Sequence, residues 1–219
     1  MNIQEFLAKQ EQVYDKFRSS SEQIQREGVK PHGLNGKGGY LIAFRHPDEI
    51  AEAAGTFSTN LAQFSPLMVF HPGNIHTTIS DYQLGERFSP DLGVLNRLVS
   101  AVRETGRLAA PTIEYNEWLF NQSTLIAAGT PNEAFLEISQ RIVDSAKKES
   151  LELRLPWGAH ITIARFTRPQ TYDELAGFRS FLENAALLGT SRPACIDVGH
   201  MTFKEDTFEF TSYERFELE

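Results

Sequence analysis

Ile75-His76-Thr77-Thr78-Ile79-Ser80 and Ala159-His160-Ile161-Thr162-Ile163-Ala164 carry the same pattern, His-x-Thr-Ile, with the two histidines 84 positions apart. Each copy follows a turn-forming run, Pro72-Gly73-Asn74 in one case and Pro156-Trp157-Gly158 in the other. Both segments read as β-strands. In a strand, residues i and i+2 share a face, so His76 projects with Thr78 and His160 with Thr162. Ile79 and Ile163 then point to the opposite face, where an apolar core takes them. Two such strands side by side about a pseudo-twofold axis bring two imidazoles and two hydroxyls to one cleft.

That set suits phosphodiester chemistry. Cleavage needs one proton removed from the attacking oxygen and one given to the departing oxygen. Imidazole titrates near pH 6.5 and does either job. The threonine hydroxyls can donate to the non-bridging oxygens, where charge builds in the transition state. No metal or cofactor is expected. A single His-x-Thr is most simply a strand histidine beside a β-prone threonine. Two strand-borne, turn-preceded copies select the catalytic reading.

Working outward, residues 2–27 read as helix, with Ile3, Phe6, Leu7, Val13, Tyr14 and Phe17 at helical spacing and a break at Ser19-Ser20-Ser21. Residues 28–39 hold five glycines and read as a loop or linker. The stretch Gly33-Leu34-Asn35-Gly36-Lys37-Gly38-Gly39 lacks the Gly-Lys-Ser/Thr ending of a phosphate loop. The chain therefore divides into an N-terminal helical extension with linker over 1–38 and a core domain over 39–219.

Within the core, strands are expected at 40–44, 66–70, 75–82, 112–120, 123–127 and 159–166, with a closing hairpin of 194–203 and 207–217. Helices are expected after Pro47, after Ser89-Pro90, after a capping box of Thr130, Pro131 and Glu133, and after a second box of Thr171 and Glu174. This pattern predicts an α+β fold: two pseudo-symmetric lobes of mainly antiparallel sheet, helices outside, and a central cleft.

Acidic residues outnumber basic ones, 29 to 21, for a formal net charge of −8. Long nucleic acid is gripped through phosphate contacts that need a basic surplus, so broad binding to DNA or RNA is not expected. A nucleotide or a single RNA end needs only a local positive pocket. The lone cysteine, Cys195, together with the absence of a secretory signal or an 18-residue apolar run, predicts a cytoplasmic protein with no membrane role.

The sequence resembles the two-histidine phosphoesterase superfamily, which includes 2′,3′-cyclic nucleotide phosphodiesterases and bacterial 2′-5′ RNA ligase-like proteins. The resemblance rests on Asn-Ile-His-Thr-Thr-Ile-Ser at 74–80 and Ala-His-Ile-Thr-Ile-Ala-Arg-Phe at 159–166, and it covers residues 39–218. It implies a bilobal α+β fold with both motifs in the cleft, and catalytic roles for His76, Thr78, His160 and Thr162. It implies action on a ribose cyclic phosphate or a 2′-5′ linkage, with His160 as base and His76 as acid in hydrolysis. The implied partner is a nucleotide or an RNA end. A non-catalytic nucleotide-binding module using the same cleft is the alternative from another class. The N-terminal extension lies outside the resemblance.

Several further residues are candidates for binding substrate. Tyr115, Trp118, Phe120 and Trp157 could stack a base, although strand aromatics also serve as core. Arg165 could hold phosphate, yet strand alternation directs it away from His160 and Thr162. His71 ends the strand entering the first motif and could rim the cleft. A zinc site would need a third protein ligand beside His71 and His76, and no such cluster accompanies them.

Overall fold

A computed structural model describes residues 1–219. Two helices open the chain, α1 (Ile3–Arg18) and α2 (Ser20–Glu27). Asn2 and Glu5 form a reciprocal capping box at the start of α1, satisfying two backbone donors that a helix N-terminus otherwise leaves bare. The buried face of α1 carries Phe6, Gln10 and Tyr14, each one helical turn beyond the last.

The remaining elements are β1 (Lys37–Arg45), α3 (Asp48–Leu61), β2 (Leu67–Val69), β3 (His76–Glu86), α4 (Leu92–Arg103), β4 (Ile113–Phe120), β5 (Thr124–Pro131), α5 (Glu133–Lys148), β6 (Ala159–Phe166), α6 (Ala176–Glu183), β7 (Gly189–Ser191), β8 (Cys195–Phe203) and β9 (Phe208–Glu217). The fold is α+β, and every ladder between named strands is antiparallel.

The strands run in the order β7-β4-β5-β6-β3-β1-β8-β9, with β2 also on β6. The sheet has a narrow waist. Strands β3, β1, β8 and β9 form one half and β7, β4, β5, β6 and β2 the other. Between them β3 pairs with β6 only at Thr77↔Ile161, and an isolated bridge links Val69 to Thr207. Thus His76 and Thr78 flank the residue at which the halves meet. One apolar core runs under both halves, from Phe6 and Ile24 of the N-terminal helices to Phe208 of β9.

Local details depart from the sequence expectations. Asp91, not Ser89-Pro90, caps α4, accepting the Val94 N–H at 2.9 Å. Thr130 and Pro131 stay in β5, where Pro131 sits opposite Ile113. Asn132 is the N-cap of α5, and its side chain accepts the Thr112 N–H at 3.2 Å instead of capping the helix. Strand β7 is additional to the expected set, because Gly189-Thr190-Ser191 has no apolar alternation. The glycine-rich segment before β1 is pinned by backbone bonds to the second half: Val29 N–H to Gln170 O at 2.9 Å, Lys30 N–H to Gln122 O at 2.7 Å and His32 N–H to Phe166 O at 2.9 Å.

Candidate active site

His76 opens β3 one residue after the single 3-10 turn Pro72–Asn74, and His160 is the second residue of β6. Both rings are held the same way. The Nδ1 of His76 lies 2.7 Å from the carbonyl of Asn74, and that of His160 lies 3.3 Å from the carbonyl of Gly158. A carbonyl oxygen only accepts, so Nδ1 carries the proton in each ring and the neutral ring keeps its lone pair on Nε2. Each ring is also stacked. His76 lies on Phe208 with centroids 5.4 Å apart, and His160 lies on Trp157 at 3.9 Å.

His76, Thr78, His160, Thr162 and Arg165 line one cavity of about 410 Å³. Its remaining wall is largely apolar, with Phe70, Met201, Phe203 and Phe208 among the lining residues. A larger cavity of about 700 Å³ lies elsewhere, around Phe57, Trp118 and Phe181, and has no titratable side chain in its lining. The two motif histidines and Arg165 lie only in the smaller one.

Twin bulges explain the position of Arg165. Along β3, Ser80 pairs with Ile42 and Thr78 with Ala43, which leaves Ile79 without a partner. Along β6, Ala164 pairs with Leu125 and Thr162 with Ile126, which leaves Ile163 without one. An extra residue shifts the alternation of everything beyond it. Strict alternation from Thr162 would send Arg165 to the far face, and the bulge at Ile163 returns it to the cleft. The expectation that Arg165 points away is thus corrected. Its counterpart five residues after His76 is Asp81, which also lines the cavity.

Arg165 is a cation without a carboxylate. Its Nη1 donates to Thr124 Oγ1 at 2.9 Å, and its buried Nε has no partner. Burial pushes its pKa down to about 10, so it remains charged at neutral pH. Burial also drives the histidines down, His76 to about 4 and His160 to about 3. The backbone carbonyls pull both back up slightly, while the Arg165 cation pushes both down, and Arg45 adds to the effect at His76. Both rings are therefore neutral at pH 7.

The other candidates divide. Trp157 lines the cleft. Tyr115 does not: it is 1% exposed and its hydroxyl sits 2.6 Å from Thr77 Oγ1. Trp118 stacks on Phe57 at 4.4 Å in the larger cavity, and its indole N–H donates to Ala186 O at 3.3 Å. Phe120 packs edge-on against Phe178, at 5.4 Å. His71 is exposed on the turn before β3 and outside the cavity lining. Strand alternation alone does not distinguish core and far-face aromatics from cleft aromatics. No group of three His, Cys, Asp or Glu side chains is placed to hold a metal ion, and no helix is long and apolar enough to cross a membrane.

Sequence reading missed a buried clasp across the waist. His46 Nδ1 is 2.8 Å from Ser191 Oγ, and its Nε2 is 3.0 Å from Thr77 Oγ1, which in turn meets Tyr115. His46 and Thr77 belong to one half, Tyr115 and Ser191 to the other. Burial lowers the pKa of His46 to about 3. In the neutral ring one nitrogen donates and the other accepts, which suits hydroxyl partners on both sides. No local motif announces this set, because its members are distant in sequence.

No protein-family model matches the sequence, and no curated protein does. Solved structures do. Escherichia coli LigT complexed with 3′-AMP is 12% identical and superposes with a TM-score of 0.54, covering 83% of this chain and 98% of LigT. TT0787 of Thermus thermophilus is 20% identical, with a TM-score of 0.56, covering 82% of this chain and 97% of that protein. A structure described as a phosphoesterase is 14% identical, with a TM-score of 0.52 and coverage of 82% and 98%. With nearly the whole length of each neighbour accounted for, this chain has the fold that LigT, TT0787 and that phosphoesterase share.

Proposed function

We propose that the protein is a metal-independent two-histidine phosphoesterase acting on a ribose 2′,3′-cyclic phosphate or a 2′-5′ phosphodiester. The observation that carries this is the matched pair of imidazoles in one cavity, each with Nδ1–H fixed by the carbonyl two residues before it, beside a buried arginine that no carboxylate neutralises. Arg165 attracts the phosphate. Thr78 and Thr162 donate to its non-bridging oxygens. His160 takes a proton from water through Nε2 as the new P–O bond forms, and protonated His76 gives its proton to the departing ribose oxygen as the old bond breaks. The roles of His160 as base and His76 as acid follow the family resemblance; both free rings are neutral at pH 7, and the bound phosphate favours the protonated form of His76. Resealing an RNA end is the reverse reaction, with the roles exchanged. The capture of LigT with 3′-AMP, and separately with phosphate, agrees with a nucleotide monophosphate as product or substrate class. The absence of a basic surplus agrees with an end or a small nucleotide over a long strand.

The test is turnover of the four 2′,3′-cyclic mononucleotides with and without chelator, recording which oxygen keeps the phosphate. Expected are chelator-resistant hydrolysis and losses of about 10²–10⁴-fold in both His76→Ala and His160→Ala. Tight binding without turnover in the wild type makes the cleft a nucleotide-binding module instead. Activity abolished by chelator refutes the metal-free mechanism.

A further inference from the structure

We infer that helix α1 braces the active-site wall from behind, with Gln10, Tyr14 and Phe17 acting as positioning residues for the Trp157–His160 stack. This rests on the proposed function only for its catalytic consequence; the positioning itself is read from contacts.

The contacts converge on the entrance to β6. Gln10 is 3% exposed, and a buried carboxamide is costly unless its groups are bonded. Its amide donates to Gly129 O at 3.0 Å, and its oxygen accepts the Ala159 N–H at 2.8 Å. It thus clamps the end of the β5–β6 ladder, where Gly129 pairs with Ala159, the residue before His160. Tyr14, also 3% exposed, donates its hydroxyl to Ala159 O at 2.9 Å and accepts from Gly129 N–H at 3.2 Å. Gly158 lies against this clamp: a Cβ there would sit 3.0 Å from Gln10 Cγ and 3.2 Å from its Oε1. The carbonyl of that same glycine orients His160 Nδ1.

Aromatic rings continue the path. Phe17 stacks on Trp157 with centroids 6.3 Å apart and planes 20° apart, and Tyr14 meets Trp157 edge-on at 6.0 Å. Trp157 in turn stacks on His160 at 3.9 Å and 21°. The helix is anchored where it passes the sheet, because Arg18 donates to both carboxylate oxygens of Glu117 on β4, at 2.9 and 2.6 Å. The charged and titratable groups facing His160 come from elsewhere: Arg165 on its own strand, His76 across the cleft, and Arg154 and Asp81 in the cavity lining. Helix α1 contributes no charge to this ring. It contributes placement.

The experiment uses the full chain and NMR of the histidine rings, which needs no substrate. Stacking under Trp157 moves the His160 ring protons upfield, and His76, stacked on Phe208, is the internal control. Phe17→Ala and Gln10→Leu are expected to remove much of the His160 ring-current shift and leave His76 in place. Phe17→Tyr is expected to retain it. Tyr14→Phe keeps the ring, loses only the hydroxyl, and serves if Gln10→Leu does not fold. Phe6→Leu, on the same helix but packed on Phe135, is expected to move neither histidine. With a cyclic nucleotide, the two disruptive variants are expected to lose about 10- to 100-fold in kcat with little change in KM. His160 resonances unmoved in Phe17→Ala and Tyr14→Phe, or His76 moved as far, would overturn the positioning role. A wild type that turns over no cyclic phosphate counts against the proposed function alone, since the ring shifts still decide the role of α1.

Discussion

Anion binding to the cleft is expected to take up a proton. Without an anion, His76 titrates at about 4 and Arg165 at about 10. A bound dianion beside His76 favours the imidazolium and offsets the desolvation that depressed it. If the anion restores the ordinary histidine pKa near 6.5, the bound state holds about one more proton than the free state at pH 5. The sign follows: the state holding more protons is favoured as pH falls, so affinity rises from pH 8 to pH 5. By linkage the gain is about 30-fold, or about 2 kcal/mol, and levels off above about pH 7.5, where neither state holds the proton. Sulfate is the suitable ligand, because its own charge does not change over this range. Titration calorimetry in two buffers of different ionisation enthalpy reads both the affinity and the proton count. His76→Asn is expected to remove most of the pH dependence and keep the binding supplied by Arg165. Sulfate affinity that stays flat from pH 5 to pH 8, with no proton taken up, would refute the coupling between the acid and the bound anion.

Three further outcomes follow from buried polar groups. Arg165→Met is expected to weaken sulfate binding about 10- to 100-fold, since a charge-assisted contact is lost, yet to leave the fold as stable or more so in urea, because an unpaired buried cation is removed. His46 accepts protons in the unfolded chain near pH 6.5 but in the folded one only near 3, so its contribution is present above pH 6.5 and is lost as pH falls, by about 2 kcal/mol at pH 5; His46→Gln is expected to flatten that part of the stability–pH curve. Thr77→Val strips the clasp of its central hydroxyl and leaves Tyr115 and His46 short of partners, which is expected to cost about 1–3 kcal/mol in chemical denaturation, whereas Thr77→Ser is expected to recover much of it.

The strands carrying the two motifs are legible because turn, alternation and β-prone residues all agree there. The sequence range expected for the second motif strand, 159–166, is that of β6, and the antiparallel α+β class follows from the same pattern. Position beyond the first bulge is not legible. A bulge is a property of the pairing with β5, and nothing in Ile163 itself announces it, so simple alternation sends Arg165 to the wrong face. Tyr115 and Trp118 escape for a related reason: alternation gives two faces, and does not say which aromatic on which strand reaches the cleft. The helix starts at α4 and α5 are displaced because Asp91 and Asn132 each lie one residue past a stronger-looking proline signal. The His46 clasp requires contacts between elements far apart in sequence. So does the role of Gln10, which a helical wheel shows only as a polar residue on an otherwise apolar face.

The waist of the sheet sets how the molecule can yield. Opening any other seam would break a ladder of backbone hydrogen bonds, while the line between β3 and β6 crosses a lone residue pair. Beyond apolar packing, the Val69–Thr207 bridge and the backbone bonds of residues 29–32, that line is spanned by four side chains of one clasp: an imidazole and three hydroxyls. One substitution among those four, with no strand altered, is expected to loosen the join between the two halves.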